Sequence, residues 1–145
     1  MLDARHQPRL IGLLSYALRD ISGELHDRLA EAGYPDIRLP HGTVFGCIGS
    51  EGSRLTELAA AARITKQAMG EATSDLERLG YLERVPDPTD RRARILRLTE
   101  RGKQAQGTGF AILDDIEAEW ARRYGAEQVG ELRAVLEQHA GERRR

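Results

Sequence analysis

Only one cysteine, Cys47, occurs in the 145 residues, which excludes an intramolecular disulfide framework and suits a reducing cytoplasm. No apolar run approaches the ~18 residues of a membrane-spanning helix, so no membrane partner is expected. The N-terminal Met1-Leu2-Asp3-Ala4-Arg5-His6-Gln7-Pro8 lacks an apolar stretch behind a basic start, and no signal peptide is expected. The histidines His6, His26, His41 and His139 are scattered, with no H-x-x-x-H or C-x-x-C pair and no glycine-rich phosphate loop. Neither an enzyme nor a metal or cofactor is expected. Internal repeats and low-complexity segments are missing too.

Net charge is nearly absent, at −1, whereas nucleic-acid binders usually carry a basic surface. The distribution matters more than the total. From Arg63 to Lys103 ten basic residues face seven acidic ones, a net of +3. From Phe110 to Glu142 eight acids face only Arg122, Arg123 and Arg133, a net of −5. A phosphate backbone responds to the local field, and positive charge is concentrated in one central stretch. With 40% apolar and 31% charged residues, the chain reads as one soluble globular domain.

Pro8 is placed to open a first helix, and Leu10, Leu13, Leu14, Ala17, Leu18, Ile21, Leu25 and Leu29 recur at helical spacing up to Gly33-Tyr34-Pro35. Such a helix of about 24 residues is roughly 35 Å long, and its stripe needs a partner. Pro40 starts a short second helix with Val44, Phe45, Cys47 and Ile48 as its apolar set. Thr56 is positioned to cap a third helix, Glu57 to Ala62. Arg63-Ile64 forms the turn, and Thr65 caps a fourth helix ending at Leu79-Gly80. Two short strands, Tyr81–Pro86 and Arg92–Leu98, flank the turn Asp87-Pro88-Thr89-Asp90. Thr99 caps a long fifth helix carrying Phe110, Leu113, Ile116, Trp120 and Tyr124 on one face. Gly125 interrupts it before a sixth helix lined by Val129, Leu132, Leu136 and His139, and residues 141–145 read as a frayed tail.

The fold expected is mainly α with a small β-hairpin wing: a winged helix-turn-helix over residues 40–98, bracketed by long terminal helices at 8–33 and 99–140. Those terminal stripes have no third long helix to pack on, so an isologous homodimer is the economical solution. The fourth helix turns Ala68, Met69, Ala72, Leu76 and Leu79 toward the third. Its opposite face presents Lys66, Gln67, Gly70, Glu71, Ser74 and Arg78. Lysine and glutamine suit base edges or phosphates, while Thr65 and Ser74 reach backbone oxygens. An ordinary solvated helix face would carry similar residues, and the helix alone leaves both readings open. The hairpin tilts the balance: Arg84, Arg91, Arg92, Arg94 and Arg97 fall within fourteen residues, and guanidinium groups suit a narrow minor groove and bidentate phosphate contact. Asp90 is expected to hold the turn and to pair with Arg92 or Arg94, aiming them outward.

Leu55-Thr56-Glu57-Leu58-Ala59, Ile64-Thr65-Lys66-Gln67, Leu76-Glu77-Arg78-Leu79-Gly80-Tyr81-Leu82-Glu83-Arg84 and Asp87-Pro88-Thr89-Asp90-Arg91-Arg92, followed by Leu98-Thr99-Glu100-Arg101-Gly102, together resemble the MarR (multiple antibiotic resistance regulator) family. The match is strong over Leu55–Gly102, and the flanking helices match in order and length. The resemblance implies a homodimer joined by its terminal helices and bound to a pseudo-palindromic operator in double-stranded DNA. It also implies repression by default. Thr65, Lys66, Gln67, Gly70, Glu71 and Ser74 then form the major-groove set. Arg91 and Arg92, supported by Arg84, Asp90 and Arg94, form the wing set. Glu71 departs from a neutral or basic reading face.

The same resemblance implies a small, often phenolic, effector held where terminal helices meet the winged unit. Leu14, Tyr16, Leu18, His41, Val44, Phe45 and the far side of the fifth helix are its candidate lining. His41, in a helix's first turn, also fits a structural role with a depressed pKa. A redox-sensing regulator acting through Cys47 is one alternative, although Val44, Phe45 and Ile48 suggest a buried thiol. A protein-interaction adaptor with a degenerate winged helix is another.

Overall fold

The computed structural model describes residues 7–142. Its order is α1 Leu10–Glu31, α2 Leu39–Cys47, α3 Leu55–Ala62, α4 Lys66–Arg78, β1 Leu82–Asp87, β2 Asp90–Leu98, α5 Glu100–Tyr124 and α6 Ala126–Glu142. The expected mainly helical fold with a two-stranded antiparallel wing is what the chain adopts. The described residues up to Gly109 and those from Phe110 onward form two compact units.

The local chemistry explains most boundaries. Thr65 has extended backbone and its hydroxyl accepts the Ala68 N–H at 3.1 Å, starting α4. Thr99 starts α5 in the same way: its hydroxyl accepts from Gly102 N–H at 3.1 Å and donates to Gly80 O at 2.6 Å. The start of α3 differs from expectation. Arg54, not Thr56, is the N-terminal flanking residue, and its N–H is accepted by the Glu57 carboxylate at 3.2 Å. A carboxylate three residues into a helix can satisfy that N–H whichever side chain stands at the flank. Pro8 precedes α1, with Arg9 at its flank. At the other end α6 runs through Gly141 and Glu142, two residues into the expected tail; 143–145 lie outside the described residues, as does His6.

The first unit is built around α4. Met69, Ala72, Thr73 and Leu76 are buried against α2, α3 and β1. Ala68 is exposed, contrary to the inward face expected for it, and Thr73 takes a core position instead. The Thr73 hydroxyl donates to Met69 O at 2.9 Å, which satisfies it inside the helix and makes its burial cheap. Burying a side chain such as Leu76 contributes about 1.5–3 kcal/mol, so this face holds α4 in place. Tyr81, fully buried, closes the end of α4: its hydroxyl donates to Asp36 at 2.5 Å. Arg101 lies over both the Tyr34 and Tyr81 rings, at 5.3 and 5.1 Å. Burial and donation to Asp36 together push the Tyr81 pKa up to about 12, so the phenol stays neutral.

Along α1, Leu10, Ile11, Leu13, Leu14, Tyr16 and Leu18 are exposed. In the second unit Gly125, at φ +103°, separates α5 from α6. Glu117 pairs with Arg133, and the Trp120 and Tyr124 rings meet edge to face at 5.5 Å. Leu132, Val135 and Leu136 on α6 are exposed. No helix among the described residues is long and apolar enough to cross a membrane.

Candidate nucleic-acid interface

The hairpin's register creates its tip. Pairing runs from Leu82↔Leu98 to Pro86↔Arg94, then jumps to Asp87↔Asp90. Arg91, Arg92 and Ala93, between the paired Asp90 and Arg94, therefore have no partner on β1 and form a bulge in β2 next to the turn. A further bridge joins Ser53 to Leu96, with N–H to O distances of 2.8 and 2.9 Å in the two directions. It fixes the residues preceding α3 against the wing.

That bridge brings Arg54 beside Asp87. The Arg54 guanidinium donates to the Asp87 carboxylate, Nε to Oδ2 at 2.8 Å with Nη2 on the same oxygen. The other oxygen of Asp87 accepts the Thr89 N–H at 2.8 Å and the Thr89 hydroxyl at 2.7 Å. Asp87 is 5% exposed. The two Thr89 donors and the Arg54 guanidinium hold its pKa down to about 2, and Asp87 raises that of Arg54. An aspartate two residues ahead of a threonine is a legible turn signal. A partner 33 residues upstream is not, and sequence reasoning missed it.

The arginines of the hairpin divide into two groups. Arg84 pairs with Glu77 at 2.7 Å and Arg97 with Glu83 at 2.6 Å, across the base of the wing. Arg91, Arg92 and Arg94 are exposed and form no such ion pair among the described residues. The pairing of Asp90 with the Arg92 or Arg94 side chain that the sequence suggests does not form. The Asp90 carboxylate accepts the backbone N–H of Arg92 at 3.0 Å, which shapes the turn and leaves both guanidiniums to solvent.

On α4, Thr65, Lys66, Gln67, Glu71 and Ser74 are exposed and Gly70 is half-buried. Gln67 donates to Glu71 at 3.4 Å. Arg78 is tied to Asp75. A Cβ at Gly70 would find only Leu55 Cδ2, at 4.0 Å, which is ordinary contact. The protein's own packing does not require glycine there.

Asp75 also receives His41. The His41 Nδ1 accepts the Arg38 N–H at 2.9 Å, and Nε2 lies 2.6 Å from Asp75 Oδ2. An accepting Nδ1 fixes a neutral ring that donates from Nε2; the tautomer follows from these partners. Although Asp75 is adjacent, burial lowers the His41 pKa, with Arg38 and Arg78 adding to it and Asp36 opposing. The unfolded chain therefore binds a proton at higher pH than the folded one. The stability this group contributes is full above about pH 6.5 and is lost as pH falls toward the lowered folded value. Thermal midpoints should fall between pH 7.5 and 5.5, and His41→Gln should remove most of that slope. A midpoint independent of pH in the wild-type protein would contradict the neutral, buried imidazole.

The effector candidates differ in burial. His41, Val44 and Phe45 are sealed in the core of the first unit, whereas Leu14, Tyr16 and Leu18 stand exposed on α1. The apolar set of α2 marks a buried face but does not tell a core from a cavity lining. A polar cleft beside the wing, lined by Ser50, Glu51, Glu83, Arg97, Leu98, Glu100 and Lys103, contains none of them. Cys47 is half-buried rather than enclosed.

The comparisons with known proteins agree with this geometry. A model of the MarR family matches residues 36–93. The transcriptional regulator HosA of Escherichia coli O111:H- is 30% identical over 95 residues, covering 65% of this chain and 70% of HosA. The crystal structure of MarR superposes with a TM-score of 0.75 at 25% identity, over 93% of this chain and 97% of MarR. CouR of Rhodococcus jostii RHA1, crystallised with p-coumaroyl-CoA, superposes with a TM-score of 0.68 at 24% identity, over 88% of this chain and 89% of CouR.

Proposed function

Because this chain belongs to the MarR family of DNA-binding transcription regulators, we propose that it works as a homodimer on a pseudo-palindromic operator, as a repressor released by a small aromatic ligand. The family and fold are those of regulators, not enzymes. In this reading the outer face of α4, from Thr65 to Ser74, enters the major groove. Arg91, Arg92 and Arg94 reach the neighbouring minor groove. Arg84 and Asp90 shape the wing instead of touching DNA, since one is engaged by Glu77 and the other binds the turn's own backbone.

One observation carries the reading. Within a hairpin rich in arginine, those at the base are neutralised by Glu77 and Glu83, while those at the tip are exposed without an ion pair. Three concentrated guanidiniums, none ion-paired among the described residues, suit an external polyanion. Titrating affinity for random-sequence duplex against salt tests it: log affinity should fall steeply and linearly with log salt. No duplex binding at low salt would favour an adaptor that keeps the fold.

Pairing is supported by the exposed leucines and isoleucine of α1 and, separately, by Leu132, Val135 and Leu136 of α6. Two copies would cover these and set half-sites about 34–36 Å apart. The ligand class is supported by CouR, whose structure carries an aromatic acyl thioester. Leu14, Tyr16 and Leu18 remain the accessible part of its proposed lining.

Gly70 gives the helix assignment its own test. Glycine in a helix interior costs about 1 kcal/mol relative to alanine, and the chain's own packing does not demand it. Gly70→Ala should therefore raise the thermal midpoint yet weaken operator binding, because the added methyl meets the groove. Improved stability with unchanged affinity would place that face away from DNA.

A further inference from the structure

Helix α4 turns one stripe of side chains away from the core. Met69, Ala72, Thr73 and Leu76 are buried and fix its inward direction. With successive residues about 100° apart, Gln67, Glu71, Ser74 and Arg78 fall within about 30° of the opposite direction, and all are exposed. The acids of this helix are not treated alike. Asp75 is held by His41 and Arg78, and Glu77 by Arg84. Glu71, inside the outward stripe, forms no ion pair among the described residues. Its Oε1 accepts from the neutral amide of Gln67, one turn earlier, at 3.4 Å, and its Oε2 takes no hydrogen bond among those residues.

A carboxylate without a cation stands here on the face assigned to the major groove. Beside a polyanion it lowers affinity for every sequence, so what it can contribute is discrimination between base pairs. An ionised carboxylate accepts hydrogen bonds and donates none. In the major groove guanine shows it only the N7 and O6 acceptors, and thymine the O4 acceptor. Adenine places its N6 donor beside the N7 acceptor. Cytosine presents the N4 amino donor with no acceptor next to it, and fits a carboxylate best.

Gln67 supports the fit. The N–H that it donates occupies one carboxylate oxygen and steadies the Glu71 side chain, leaving Oε2 as the acceptor for a base. Resting on the duplex-binding reading above, we propose that Glu71 is a specificity-determining residue, which accepts the N4 amino group of one cytosine in each half-site. Guanine in that place would set two acceptors against the carboxylate and be rejected.

Selection from a random duplex pool with the full wild-type chain and with Glu71→Gln tests this. Affinities for the selected operator, its single-base-pair variants and random-sequence duplex follow at one salt concentration, with Arg92→Ala measured alongside. Wild-type protein should select a cytosine at one position of each half-site, and exchanging that C·G pair for G·C should weaken binding roughly tenfold to a hundredfold. In E71Q the same exchange should cost about threefold or less, because an amide can donate as well as accept. Exchanges at other positions should keep their wild-type cost. E71Q should also bind random-sequence duplex a few-fold more tightly, since a negative charge is gone. If R92A loses affinity while E71Q matches wild type in affinity and base preference, the proposal is overturned and duplex binding stands. Uniformly tighter binding by E71Q with base preference unaltered would place the carboxylate near phosphates rather than bases, and overturns it as well. A wild-type protein that binds no duplex defeats both readings.

Discussion

Replacing Arg91 and Arg92 together by alanine is expected to lower affinity for any duplex by roughly a hundredfold at ~0.1 M salt, and to reduce the salt slope by about 1.8. The reasoning is structural. The register jump leaves both residues in the unpaired bulge of β2, and neither joins the ion pairs that occupy Arg84 and Arg97. Their removal should leave the melting temperature unchanged, since no part of the core rests on them. Gln67→Ala provides the contrast. A neutral amide on α4 neutralises no phosphate, so its loss should relax preference at particular bases and leave the salt slope intact. Equal losses on every sequence for both variants would reject this division between helix and wing.

Asp87→Ala is expected to lower the melting temperature by about 5 °C and to weaken duplex binding roughly tenfold. The second effect runs against simple electrostatics. Deleting a negative charge near a polyanion should strengthen binding. Weakening would follow because Asp87 is the joint that ties Arg54, at the start of α3, to Thr89 in the turn. Without it the wing loses its fixed angle to the helix-turn-helix, and the tip arginines must be ordered on binding. Comparing Asp87→Ala with Asp87→Asn, which still accepts from Thr89, separates turn geometry from the ion pair. The linkage sign also follows: with its pKa held at about 2, below the ordinary 3.8, Asp87 contributes stability that is full above the ordinary value and lost as pH falls through the lowered one. The joint is therefore intact near neutrality. Affinity that rises in Asp87→Ala would show the wing to be rigid without it.

Much of this was legible before any coordinates. The caps Thr65 and Thr99, the interruption at Gly125, the hairpin and its arginine-rich tip are local signals written in adjacent residues. Two of the contacts that sequence reasoning missed span long sequence separations. Arg54 and Asp87 meet because Ser53 bridges Leu96. His41, for which the sequence also allows a structural role, finds Asp75 because α2 packs on α4. Thr73 took a core place that periodicity assigned to Ala68, because a threonine can satisfy its hydroxyl on its own helix. Asp90 was expected to aim arginines by charge and instead does so through the backbone N–H of Arg92.

Footprinting on a duplex selected from a random pool, with hydroxyl radicals to map the backbone and a methylating reagent to map groove edges, addresses the central claim most directly. Wild-type protein should protect guanine N7 in a major-groove patch, flanked by minor-groove protection on the same side of the helix. Alanine at Arg91 and Arg92 should erase only the flanking protection. Protection confined to one groove, or an unaltered pattern in that variant, would contradict a shared footprint of α4 and the wing.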